Sequence, residues 1–336
     1  MRIQAATASP SGSVAIRVSC APVKPPNNSK AAQRGLKSEA LKLALDKARR
    51  GNVDDLEALL ARHGNMPAPR PNLELAAAFG VEIASQTGDV TALLAGLAAN
   101  DADPETAFVF LPIAASYGWV ALIRAKRDVE AAWDAMPELL SDERGPVRLG
   151  VREALSQLCT QPGQSDRLVT RGLGWLEDID DRDRRFGVAA VVLEVLAEKT
   201  VLANLVDDAA LRDYLSRVLA DASDAPRTAS RMDSYRRVLL SLPRCLAATL
   251  ASSGASGQQA EAAQEWLRNE CVIAEHPPVR DALSAAIAQL RISAHGQSAG
   301  VVSALRSSLE GSAKPPRDPS RIRQGLGRGK RSRPIR

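Results

Sequence analysis

Apolar residues recur along the chain at steps of three and four, in short runs separated by Gly, Pro, Asn and Asp. That spacing gathers them on one face of a helix, and no sustained alternation with a period of two appears between the turns. The stretch Asp142–Leu158, DERGPVRLGVREALSQL, shows the pattern most fully. Pro146 suits a first helical turn, where its missing N–H has no partner to lose. Asp142 and Glu143 lie just upstream, at the positive end of the helix dipole. Val147, Val151, Ala154, Leu155 and Leu158 then share one face, and a lone helix cannot bury such a stripe.

The same signature recurs. In PPVRDALSAAIAQL, placing Arg280 on Arg148 also superimposes Pro278 on Pro146, Val279 on Val147, Ala286 on Ala154 and Leu290 on Leu158. Asp183–Leu196 offers Arg185, Gly187 and Val188 for Arg148, Gly150 and Val151, while Thr106 and Arg237 mark two looser copies. The anchors 106, 148, 185, 237 and 280 stand 42, 37, 52 and 43 residues apart. Two-helix HEAT units repeat every ~40–47 residues. The chain therefore resembles the HEAT and armadillo-type helical-repeat superfamily, over 140–292 and by extension 38–310. That resemblance implies a right-handed α-solenoid of stacked antiparallel helix pairs, with Arg148, Arg152 and Arg280 on the inner helices as candidate partner-binding residues. GNVDDLEALLARHGN (51–65) also resembles the second helix of an ankyrin repeat, without the start that such a repeat has.

Along the chain, residues 1–35 have linker composition and are expected to be a disordered leader. Their acid-free, Ser- and Ala-containing make-up also resembles an organelle transit peptide. Ser38 is placed to cap the first helix of the body, and helices follow over 53–62, 73–85 and 90–99. Asp103-Pro104 is expected to open the next helix, which Pro112 would kink or divide. Ser165 is expected to cap a helix carrying Leu168, Val169, Leu173, Trp175 and Leu176. FGVAAVVLEVLA, apolar all round, belongs at the centre of the stack. Asp207-Asp208 would cap the following helix, Pro243 would bend the one after it, and SSGASG (252–257) would act as a joint. The domain organisation expected is a leader, an α-helical repeat domain over 36–311 and a disordered basic tail over 312–336.

Composition sharpens this picture. Hydrophobic residues make up 45% of the chain but aromatic residues only 3%, so the core is built of Ala, Leu and Val, which favours packed helices over a sheet. The formal net charge of +5 conceals a partition. Residues 1–38 carry six Lys/Arg and no acid, and residues 312–336 carry nine against Asp318 alone, which leaves the body with 29 basic and 38 acidic residues. Attraction to a polyanion must then come from the tails or from a local patch. No charge-free apolar run reaches the length of a membrane span, so no membrane association is expected. Cys20, Cys159, Cys245 and Cys271 lie far apart with no ligand spacing, which argues against zinc or a disulfide framework and fits a reducing, cytoplasmic setting.

Candidate chemistry is sparse. His63, His276 and His295 have no carboxylate or cysteine at motif spacing, and no HExxH, nucleophile elbow, Walker loop or dinucleotide fingerprint occurs. No cofactor and no catalytic group is expected. The acidic run EDIDDRD (177–183) lacks the glycine and terminal glutamate of a calcium loop, and reads as a solvated turn. In the tail, Arg321, Arg323, Arg328, Lys330, Arg331 and Arg333 alternate with Gly and Ser. KRSRP resembles the core of an AT-hook with Ser332 in place of its glycine, which implies nucleic-acid binding by counterion release. Trp175–Ala197 is loosely similar to the repeat segments of alkylation-type DNA glycosylases, a family that implies a basic, aromatic-lined cleft. Three functions compete: a non-catalytic scaffold for a protein partner, a nucleic-acid-associated protein using its tail, and such a glycosylase.

Overall fold

The computed structural model describes residues 28–252, 257–293 and 299–311, with side chains over a slightly narrower range. Among these residues there are helices and turns and no strand. The all-α expectation holds. The chain divides into a unit Met1–Ala40 and a unit Leu41–Arg336, with the first described helix, α1 (Asn28–Arg49), running across the division. Helix therefore begins within the expected leader, and Ser38 lies inside α1 instead of capping it. The run KAAQRGLK (30–37) before it contains good helix formers, which carry the helix past Ser38. Residues 1–27, the 253–256 part of the expected joint and the tail from 312 lie outside the described residues.

In the second unit the chain continues through α2 (Asp54–His63), α3 (Leu73–Ser85), α4 (Thr91–Ala98) and α5 (Phe110–Arg124). Then come α6 (Val129–Asp134), α7 (Met136–Leu140), α8 (Gly145–Cys159), α9 (Gln164–Asp178) and α10 (Arg182–Leu196). The last are α11 (Lys199–Leu202), α12 (Asp208–Ser223), α13 (Asp233–Ser252), α14 (Gly257–Ile273), α15 (Pro277–Ser293) and α16 (Ala299–Gly311). Helix α3 packs on α5, α5 on α8, α8 on α10, α10 on α13 and α13 on α15. The intervening helices flank this row: α4 lies on α5, α9 on α10 and α12, and α14 on α12 and α16.

The anchor stripe behaves as its spacing predicts. Val147, Val151, Ala154, Leu155 and Leu158 are all fully buried, as are Val279, Leu283, Ala286 and Ile287 of α15 to within 2%. Helix α10 is buried from Phe186 through Leu196 except at Glu194, so its all-round apolar character does reflect a central position. Asp207 caps α12 by accepting from the Ala210 N–H at 2.9 Å, as expected.

Two boundaries differ. Asp103 does not open a helix; its carboxylate accepts from the Glu105 N–H at 2.8 Å, closing a turn before the 3-10 segment Ala107–Val109. Helix α5 starts at Phe110, which puts Pro112 in a first turn, where it neither kinks nor divides the helix. Ser165 sits inside α9, not at its cap. Its buried hydroxyl donates to the carbonyls of Val201 at 3.0 Å and Cys159 at 3.2 Å, so it ties the α8 end to α11. Pro243 lies inside α13, which continues on both sides of it.

Helix α5 explains the most apolar stretch of the chain. Ala107–Arg124 is long and apolar enough by composition to cross a bilayer, yet 78% of it is buried within the protein. It is enclosed by very close approach. A Cβ placed on Gly80 of α3 would lie 2.7 Å from the Tyr117 carbonyl oxygen, and one on Gly150 of α8 would lie 2.6 Å from Ile113. Only glycine lets both neighbours come so near α5.

Candidate functional site

Three of the four anchor arginines occupy the same helical position. Arg148 is the fourth residue of α8, Arg185 of α10 and Arg280 of α15, while Arg237 is the fifth of α13. Position four lies where a long side chain can turn back past the helix start to the preceding segment. Arg148 Nη1 donates at 2.8 Å to the carbonyl of Asp142, and Arg280 Nη1 at 3.0 Å to that of Ala274, each six residues upstream. Arg280 Nη2 also reaches the Leu309 carbonyl of α16. Turn and helix-end carbonyls lack backbone donors, and the planar guanidinium fork satisfies two at once. Arg127 works the same way at the end of α3, donating to the carbonyls of Gln86 at 2.5 Å and Gly88 at 2.8 Å.

This placement changes the reading of the sequence-based candidates. Partner binding calls for exposed side chains, yet those of Arg148 and Arg152 are 17% and 30% exposed, and Arg280 is half-buried. Arg148 and Arg280 hold the turns before their helices. Arg152, one turn further along α8, opens instead onto a ladder of charges shared by three helices. It pairs with Glu153 beside it and faces Glu194 of α10 at 4.0 Å. Arg237 of α13 approaches the other oxygen of Glu194 at 3.9 Å, and Arg148 approaches Asp233 of α13 at 4.0 Å. Ser156 completes the strip by donating to Glu198 at 2.8 Å.

Burial and charge pull against each other along this ladder. Burial lowers the Arg237 guanidinium from its ordinary value, the like charge of Arg148 lowers it further, and Glu194 and Asp233 oppose both. For Arg152 burial also acts downward, but the hydrogen bond and charge of Glu153, with Glu194 and Glu198, outweigh it and raise the group. Tyr117 of α5 lies at the edge of the strip, its hydroxyl pushed up to about 12 by burial and then by the charge of Glu153. All three keep their protons at neutral pH. The strip sets Arg148, Arg152 and Arg237 against Glu153, Glu194, Glu198 and Asp233, so its charges are largely matched within the fold.

The described cysteines offer no thiolate. Burial pushes Cys159 and Cys245 up to about 12 and Cys271 to about 11, which leaves them as thiols at neutral pH. Among the described residues no group of three or more His, Cys, Asp and Glu could hold a metal ion. In the acidic run 177–183, Asp181 caps α10 by accepting from the Arg184 N–H at 2.8 Å, and Asp183 accepts from the Ser234 hydroxyl. Trp175, in the glycosylase-like segment, is 6% exposed and packs on Trp133 with ring centroids 6.0 Å apart.

Sequence reasoning marked Arg237 only as a repeat anchor and overlooked Glu194. The signal for Glu194 was available, a single charge inside the apolar run VVLEVLA. Leu240 of α13, 77% exposed, carried no such signal. The tail candidates Arg321, Arg323, Arg328, Lys330, Arg331 and Arg333 lie outside the described residues. Searches against protein-family models, curated proteins and solved structures find no match to this chain.

Proposed function

We propose that the chain is a non-catalytic scaffold of the HEAT-like kind, a right-handed α-solenoid that binds a protein partner along the face formed by its inner helices. The observation that carries this reading is the row α3, α5, α8, α10, α13 and α15, each helix packed on the next. Several polar contacts between elements span similar intervals: Arg144 to Ala102 and Ser156 to Glu198 span 42 residues, Arg167 to Glu130 spans 37 and Arg184 to Glu138 spans 46. Those intervals overlap the spacing of the anchors. A row of this kind offers an extended surface with no chemistry required of it.

Photo-crosslinking in the native cell tests the reading, with a reactive amino acid placed at Val81, Gln157 or Leu240 on the row and at Thr170 or Val206 away from it. Partner adducts at the row positions are expected. Adducts confined to Thr170 and Val206 would overturn the assignment of the face.

A second reading is favoured by the nine Lys/Arg against one acid in residues 312–336. Such a segment binds nucleic acid with a steep salt dependence. DNA and RNA affinities of the full chain and of a chain ending at Gly311 decide it, and equal affinities would remove the tail from consideration.

A further inference from the structure

Helix α13 carries a second feature beside the ladder. At about 100° per residue, Asp233, Arg236, Arg237, Leu240 and Arg244 fall within roughly a third of the helix circumference. Arg237 is turned onto Glu194, whereas Arg236, Leu240 and Arg244 are exposed. Arg236 reaches Asp233 at 3.5 Å, with 58% and 67% of the two side chains in water, so the pair restrains it weakly. Arg244 makes no ion pair among the described residues. A lone exposed leucine needs no explanation. This one is flanked one turn to each side by a guanidinium, on a body whose residues 39–311 hold 29 basic and 38 acidic groups. On the exposed part of the face Arg236 and Arg244 stand against Asp233, a local excess of positive charge on a body that is acidic as a whole.

We propose that this face of α13 docks an acidic amphipathic helix of a partner protein, a leucine-like residue on Leu240 with carboxylates one turn to either side, on Arg236 and Arg244. The proposal rests on the scaffold reading and names the chemistry of its partner. Leu240 supplies the apolar contact that a helix-in-groove interface centres on, and the arginines supply forked donors that match carboxylates. The acidic body repels an acidic ligand elsewhere and guides it to this strip. The chain's own ends have the wrong sign, since 1–38 carries six basic residues and no acid and 312–336 nine against one. A phosphate backbone would match the arginines but leave Leu240 uncovered.

The test uses the full-length chain and three fluorescent probes: a short helical peptide with leucines flanked at four residues by glutamates, the same peptide with lysines, and a DNA duplex. The glutamate peptide is expected to bind, and to weaken as salt rises. Leu240→Ala weakens it about tenfold, the loss of one buried aliphatic side chain. Arg244→Glu weakens it by at least about tenfold, and Arg236→Ala by about threefold. These side chains are exposed, so the circular dichroism of every variant should match the parent. Equal binding of the lysine peptide, indifference to Leu240→Ala, or an Arg244→Glu variant that loses duplex binding while keeping the glutamate peptide would each overturn the proposal. If the peptide fails while crosslinked partners persist at Val81 or Gln157, only this assignment falls. If no row position yields adducts, the scaffold reading falls with it.

Discussion

Two seams in the row of helices are built on opposite principles. Around α5 the contact is apolar and very close: Gly80 and Gly150 admit α3 and α8 to distances at which any side chain would collide. Across α8, α10 and α13 the surface strip of the contact is ionic, with Arg152 and Arg237 sharing Glu194 at 4.0 and 3.9 Å. Beneath that strip the second seam has its own apolar floor, including the Phe186 and Tyr235 rings 5.2 Å apart. The first seam draws its stability from dense packing. In the second, desolvation offsets much of the attraction between charges, so the ladder adds little net stability.

The difference can be broken experimentally. The largest effect is expected from Gly80→Val, whose branched side chain would meet the Tyr117 backbone 2.7 Å from its Cβ, an atom that cannot swing aside. A loss of about 4 kcal/mol or more in denaturant unfolding is expected. A loss under about 1 kcal/mol would show that α3 and α5 are not so close. Leu155→Ala, at a fully buried position of the anchor stripe, should cost about 3 kcal/mol in the same measurement.

The ionic seam should respond less. Glu194→Gln leaves two part-buried guanidiniums short of a carboxylate and should cost about 1–2 kcal/mol. The pair Glu194→Leu with Arg237→Leu should recover most of that loss, because apolar side chains of similar size replace a broken charge pair well. A double variant as unstable as the sum of two separate losses would mean that the ladder stabilises the fold outright.

A separate effect concerns pH and is confined to the alkaline range. Cys159 and Cys245 keep their protons to about 12 in the folded chain, against an ordinary value of 9.0. Above pH 9 the unfolded chain releases protons that the folded chain retains, so ionisation favours unfolding. Stability should be level up to pH 9 and fall between pH 9 and 12, and Cys159→Ala should flatten the decline. An unchanged slope in that variant would show that the thiol is accessible in the folded state.

How much of this was legible in the sequence varies with the physics involved. The stripe of α8 and its copy in α15 follow directly from spacing, because a helical period and a hydrophobic face are local properties. The Pro-Val-Arg signature was legible as a pattern, but not its purpose. Spacing alone leaves Arg148 and Arg280 on the outside, whereas the fold folds them back onto carbonyls of the preceding turn. Pro112 and Ser165 were misplaced because helix starts depend on which turn satisfies the first backbone groups, and Asp103 and Gly163 precede them in turn conformations of their own.

The sequence by itself determined that the chain is helical, where its apolar faces lie, and that its charge divides between an acidic body and basic ends. Those properties are set by neighbouring residues and need no partner in space. Only the tertiary structure decided that Glu194 is shared by arginines from α8 and α13, that glycines bring α3 and α8 against α5, and that Leu240 stays in water between two guanidiniums. Each of these depends on helices tens of residues apart in the chain meeting at a fixed rotation, and nothing in local spacing specifies that rotation.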